Sequence, residues 1–137
     1  MKKALRILAL AMVTVMLCIT LVSCGGPNAD PDKALEALKE NGVTWAVKDD
    51  IGAPALLKVG GVNGVDCVVS GTGKIDGEFA HITIIYFDEA DDAKDAFEKV
   101  EELANEDKKD AEDSDWVFKK SGKMIYYGTK DAVKAAN

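Results

Sequence analysis

One histidine and three cysteines are the whole supply of imidazole and thiolate metal ligands in 137 residues. A transition-metal centre draws on several such ligands held together, and His81 stands alone. Imidazole catalysis also needs a group that orients the ring, and none is evident beside His81 in the sequence. There is no G-x-S-x-G elbow and no H-E-x-x-H pair. The run "SGTGK", residues 70–74, fails as a phosphate loop. Val68 stands where the first glycine is needed, and Lys74 is followed by Ile75 instead of Ser or Thr. It fails as a dinucleotide fingerprint because Asp76 replaces the third glycine. Asp110, Glu112, Asp113 and Asp115 lie close together, but Asp113-Ser114-Asp115 runs into Trp116 and Val117, which breaks the calcium-loop spacing. The sequence therefore assigns no catalytic residue, no cofactor and no metal ligand.

Positive charge is also scarce. Lys and Arg number 17 against 24 Asp and Glu, and three of the cations, Lys2, Lys3 and Arg6, fall in the first six residues. The chain from residue 24 onward holds 14 basic and 24 acidic residues, a net of −10. That balance argues against nucleic acid and against electrostatic adhesion to anionic lipid.

After the basic start, "ILALAMVTVMLCITLV" runs from Ile7 to Val22 with almost no polar residue. This is the layout of a secretory signal peptide, with the cations retained inside. Its end, Leu21-Val22-Ser23-Cys24, resembles the lipobox of bacterial lipoproteins. The resemblance implies that Cys24 takes a diacylglycerol and becomes the new N-terminus. The uncleaved alternative is an apolar segment, Ala4 to Val22, of 19 residues, close to a bilayer span. Either way the remainder is tethered at the extracytoplasmic face of the cell membrane. The expected divisions are residues 1–23 as signal peptide, 24–31 as lipidated cysteine and short flexible linker, and 32–137 as a single domain.

With Cys18 in the signal and Cys24 acylated, Cys67 has no intrachain partner. Its neighbours Val65, Val68 and Val69 point to a buried, inert thiol.

Asp30-Pro31 predicts a capped helix start, with Ala34, Leu35 and Leu38 as its apolar stripe and Asn41-Gly42 as its end. "VTWAVK" alternates as a strand, and Pro54 opens a short helix through Leu56 and Leu57. "VDCVVSG" reads as a strand, and "GTGKIDGE" as a turn or longer hairpin loop. "FAHITIIYF", residues 79–87, is the strongest strand. Ile82, Ile84 and Tyr86 share one face and Ile85 and Phe87 the other, which places it centrally in a sheet. Asp88 is the expected cap of a long helix with Ala93, Ala96, Phe97, Val100, Leu103 and Ala104 inward and an Asp95–Lys99 pair outward. Residues 105–115 read as a solvated loop or frayed helix end. A hairpin turning at Ser121-Gly122 and a short helix capped by Thr129 complete the chain. The expectation is α+β: a mostly antiparallel sheet of four to five strands with helices on one face, in a distorted ferredoxin-like arrangement.

"IIYFDEADDAKDAFEKVEE" and "YYGTKDAVKAAN" resemble segments of small lipoproteins of Gram-positive bacteria. That resemblance implies surface anchoring and carries over one residue, Cys24. The functional expectation is a non-enzymatic binding or accessory module that contacts an envelope protein or small ligand. The alternatives are a carboxylate-dependent envelope enzyme and a self-associating structural domain. Trp45, Trp116, Phe118, Tyr126 and Tyr127 are the aromatics available either for a partner surface or for the core.

Overall fold

The computed structural model describes residues 26–110 and 115–137. Nine elements follow in order: α1 (Pro31–Glu40), β1 (Trp45–Asp49), α2 (Gly52–Val59), β2 (Val65–Ile75), β3 (Glu78–Phe87), α3 (Ala90–Asp110), β4 (Trp116–Ser121), β5 (Met124–Thr129) and α4 (Lys130–Ala135). The strands form one sheet in the order β1-β2-β3-β5-β4, and every neighbouring pair is antiparallel. The fold is α+β, as the pattern of elements implied.

The helices do not share a face. One apolar cluster joins Ala34 and Leu38 of α1 and Ala132 and Val133 of α4 to Val69, Ile82, Ile84, Tyr86 and Tyr126. A second joins Val62, Ala93, Ala96, Val100 and Ala104 to Val68, Ile85, Phe87, Ile125 and Tyr127. The sheet is the middle of three layers, with α1 and α4 below and α2 and α3 above. The expectation of helices on one face is thus corrected. β3 shows why: its even and odd positions are both apolar, so each face needs its own cover. A ferredoxin-like sheet splits two strands with a third. Here β1 and β2, and β2 and β3, are direct neighbours, so that arrangement is also set aside.

Local chemistry explains most boundaries. The Asp30 carboxylate accepts from the backbone N–H groups of Asp32 (2.9 Å) and Lys33 (3.4 Å), and Pro31 occupies the first helical position. Leu38 is fully buried, which contributes about 2 kcal/mol from its apolar side chain. At the other end, Asn41 donates its side-chain amide to the carbonyls of Ala37 (2.9 Å) and Ala135 (3.1 Å), which fastens α1 to α4. Asp49 caps α2 by accepting from Ile51, Gly52 and Ala53 at 2.8–3.0 Å, and those bonds hold its carboxyl below its ordinary value.

Several expected details change. "GTGKIDGE" is not mostly turn, since β2 continues to Ile75. Asp76 and Gly77 alone make the hairpin, both with positive φ (52° and 83°), which is the two-residue geometry favoured by Asp-Gly. Gly71 and Gly73 sit inside the strand because the α1–β1 connection lies on it. A Cβ at Gly71 would stand 2.7 Å from a Val43 methyl, and one at Gly73 would stand 3.0 Å from the Gly42 carbonyl oxygen. The helix after β3 begins at Ala90, and Ala93 N–H donates to the Glu89 carbonyl, one position beyond the expected Asp88 cap. It continues through Asp110, so residues 105–110 are helical; residues 111–114 of the expected loop lie outside the described residues. The last hairpin turns at Gly122-Lys123, with Ser121 paired to Met124. Thr129 precedes α4 but caps nothing with its side chain: its hydroxyl accepts from His81 N–H (3.2 Å) and donates to the His81 carbonyl (3.4 Å).

Residues 26–30 are not a free linker. Pro27 is buried. Asn28 N–H donates to the Ala136 carbonyl at 2.8 Å, and the Asn28 carbonyl accepts from the Tyr86 hydroxyl at 2.7 Å. The packed body therefore begins two residues after Cys24. Among the described residues, no helix is long and apolar enough to cross a membrane. The apolar run and Cys24 lie outside the described residues.

Candidate functional site

The upper sheet face is only half covered. α3 lies over β4 and β5, and α2 lies over the Val68 end of β2. Strand alternation puts Trp45 and Val47 of β1, Ser70 and Thr72 of β2, and Phe79, His81 and Thr83 of β3 on this same face. Register makes them neighbours: Trp45 opposes Thr72, Val47 opposes Ser70, and Thr72 opposes His81. Trp45 is 79% exposed, Val47 58% and Phe79 49%. An indole and two further large apolar side chains thus lie uncovered on one sheet quadrant. The other expected aromatics are core: Tyr126 is buried on the lower face, and Tyr127, with Trp116 and Phe118 packed against it, belongs to the upper one. Phe97 of α3 closes on Phe118 at 4.9 Å between ring centroids.

β1 is also an edge strand, with a strand neighbour on one side only. The opposite edge, β4, ends in exposed Lys119, Lys120 and Ser121, the charged type of edge that discourages pairing. β1 presents Trp45, Ala46 and Val47 before its first charge at Lys48. Lys48 is engaged by Asp32 at 2.9 Å, with Asp50 at 3.9 Å.

At the inner margin of the quadrant, His81 lies between two rings, Phe79 at 6.4 Å and Trp116 at 6.2 Å, both nearly parallel to it. Its Nε2 is 3.9 Å from an Asp107 carboxylate oxygen, beyond hydrogen-bond range. Burial pushes the imidazole below its ordinary value, and the Asp107 charge opposes that shift. Tyr127, across from Thr83, is held un-ionised chiefly by burial and then by Asp107. Among the described residues, His81 Nε2 and Trp116 Nε1 are buried polar atoms with no hydrogen-bond partner. The group gives the quadrant a polar inner wall. Burial favours the protonated Tyr127 phenol, and the Asp107 carboxylate stands near His81 without a hydrogen bond to it.

Leu103 and Asp107 stack one turn apart on α3, so the quadrant adjoins the cleft between α2 and α3. That cleft encloses about 340 Å³ between Leu56, Leu57, Val62 and Leu103, with Lys99, Glu102 and Glu106 on its rim. Lys99 does not pair with Asp95 as its spacing suggested; it donates to the Gly61 carbonyl at 3.2 Å. Leu56 is 75% exposed, and Val59 and Ile51 at the ends of α2 are 88% and 82% exposed.

His81 was legible only as a lone histidine, because Asp107, Trp116 and Tyr127 come from three other elements. Cys67 is 2% exposed on the lower face, and burial pushes its thiol up to about 11. Among the described residues, no three His, Cys, Asp or Glu side chains gather as a metal site. No family profile matches this chain, and neither a curated protein nor a solved structure does.

Proposed function

We propose that this chain is an extracytoplasmic lipoprotein, anchored to the cell membrane through acylated Cys24, that acts as a non-enzymatic binding module for an envelope protein. The observation that carries the reading is the apolar edge: Trp45 and Val47 stand exposed on a strand with one free side. An extended segment laid along β1 would gain main-chain hydrogen bonds from the edge and apolar contact from alternate side chains. Phe79 and the α2–α3 cleft extend the apolar surface beyond the edge. The anchor reading is supported by the basic start, the apolar run and the lipobox-like Leu21-Val22-Ser23-Cys24. The docking of Asn28 on the lower layer also suits it, since the open quadrant lies on the opposite face of the sheet from that attachment.

The test is site-specific photo-crosslinking in intact cells. A photoreactive residue at position 45 should give a discrete adduct with another envelope protein. The same residue at exposed Lys33 on α1 should give none. Adducts of equal yield from both positions, or none from position 45, would remove the reading.

A further inference from the structure

The net charge of −10 hides a segregation. Residues 116–137 carry five lysines, Lys119, Lys120, Lys123, Lys130 and Lys134, against one acidic side chain, Asp131. Residues 26–115 carry nine lysines against 23 acidic side chains. All five C-terminal lysines are exposed. Lys120 pairs with Ile125 and faces the upper layer, but three of the others lie on the side where the chain enters the fold. Gly26 lies on Tyr126, whose hydroxyl would be 3.2 Å from a Cβ placed there. Lys119 is the register partner of Tyr126 on β4 and shares its sheet face. Lys134 precedes by two residues Ala136, whose carbonyl accepts from Asn28. Lys123 sits in the turn between β4 and β5.

We propose that Lys119, Lys123 and Lys134 form a collar around the point where the chain leaves for Cys24, and that the collar seats the domain on anionic phospholipid headgroups. The inference rests on the membrane tether proposed above. Cys24 lies within about 7 Å of Gly26, two residues away along the chain. A tether that short keeps the side of the body that carries Lys119 and Lys134 close to the bilayer surface, where charges act over roughly 8 Å at physiological ionic strength. Attraction of lysines to an anionic leaflet operates at that distance. Two carboxylates at the start of the body are already engaged: Asp30 accepts from two α1 amides, and Asp32 is bound by Lys48 at 2.9 Å. The acid-rich helix α3 packs on the other face of the sheet, so the same leaflet that attracts the collar repels the far side. The molecule is a charge dipole, and its net sign does not decide which surface meets the membrane.

The experiment uses the full-length protein in vesicles of phosphatidylcholine alone and of phosphatidylcholine mixed with phosphatidylglycerol. A water-soluble amine-reactive ester is applied, and labelling of each lysine is followed by mass spectrometry. Lys119, Lys123 and Lys134 should label about five-fold more slowly on the anionic vesicles, with the difference erased by high salt. Lys58 on α2 should label equally on both. The paired variant Lys119→Glu, Lys134→Glu should lose the slowing at Lys123. Equal rates on both vesicles, or slowing that salt does not relieve, would overturn the collar. The mass of the N-terminal peptide reads the anchor separately. An unacylated chain, still held by its apolar N-terminal run, that shows the slowing would overturn the acyl anchor and support the collar. An acylated chain without slowing would overturn the collar alone.

Discussion

The Tyr86 hydroxyl donates to the Asn28 carbonyl at 2.7 Å, joining the centre of the sheet to the first residues of the body across 58 positions of sequence. Tyr86 is 5% exposed, so its phenol has little access to water as an alternative partner. Burial pushes its ionisation well above the usual tyrosine range and keeps the donor proton in place. Tyr86→Phe keeps the ring and removes the bond, which should cost about 1 kcal/mol. The loss should be local. Hydrogen exchange at the Asn28 amide, which donates to Ala136, should quicken, while the β2–β3 amides keep their protection. Unchanged exchange at Asn28 would show that the clamp does not hold this segment.

Two glycines with positive φ separate strain from collision. At Gly77 (φ 83°), a Cβ would meet nothing within 4 Å. At Gly128 (φ 153°), a Cβ would run into the His81 carbonyl oxygen and the Ile82 backbone of the neighbouring strand. Gly77→Ala should cost about 1 kcal/mol from backbone strain alone. Gly128→Ala should cost about 3 kcal/mol, because the β3–β5 pairing itself must shift. Denaturant unfolding of both variants checks the order. Equal losses would mean that β3 and β5 adjust freely at Gly128.

Part of this fold was legible because its signals are local. Asp30-Pro31 announces α1, and the two-sided apolar pattern from Ala80 to Phe87 announces a central strand. The larger misreadings are tertiary. Gly71 and Gly73 look like turn residues in sequence, and only the α1–β1 connection lying against them explains glycine inside a strand. Asp76-Gly77 was the better turn signal in that stretch. Gly26-Pro27-Asn28 has linker composition, yet Tyr86 and Ala136 hold it, and both are remote in sequence. Two covered faces on β3 already implied two helical layers, which the ferredoxin-like expectation overlooked. Of the candidate site, the aromatic residue types were legible, but not which of them would be exposed. Trp45 and Trp116 read alike, and only the position of α3 separates them. The basic collar vanished when charge was summed along the whole chain.

The lipobox reading predicts the behaviour of one substitution. Cys24→Ala removes the thiol that would receive the diacylglycerol and should abolish both acylation and cleavage at that point. Cells fed a labelled fatty acid should label the wild-type chain and not the variant. The variant should also migrate as the larger, unprocessed chain. Equal label in the two chains would exclude acylation at Cys24.

Cys67 offers a test of the lower layer by alkali and by reagent. Its thiol is pushed from an ordinary value of 9.0 up to about 11, first by burial and then by the neighbouring Asp66 charge. The native state thus binds the proton more tightly than the unfolded chain, so the group's contribution to stability is fully present below about pH 9. It is lost progressively as pH rises toward about 11, where the folded thiol itself ionises. Tyr86 and Tyr127, both shifted upward by burial, act in the same direction above the usual tyrosine range. Denaturant midpoints should therefore fall from about pH 9 upward, and Cys67→Ala should flatten the first part of that fall. The substitution should cost about 1 kcal/mol near neutrality, since it empties only a small volume beside Val69 and Tyr86. A thiol reagent should label the native protein slowly at pH 8 and quickly once it is unfolded, because thiolate is the reactive form and the core withholds it. Rapid stoichiometric labelling of the native chain would place Cys67 at an accessible surface and reopen a redox or cross-linking role for it.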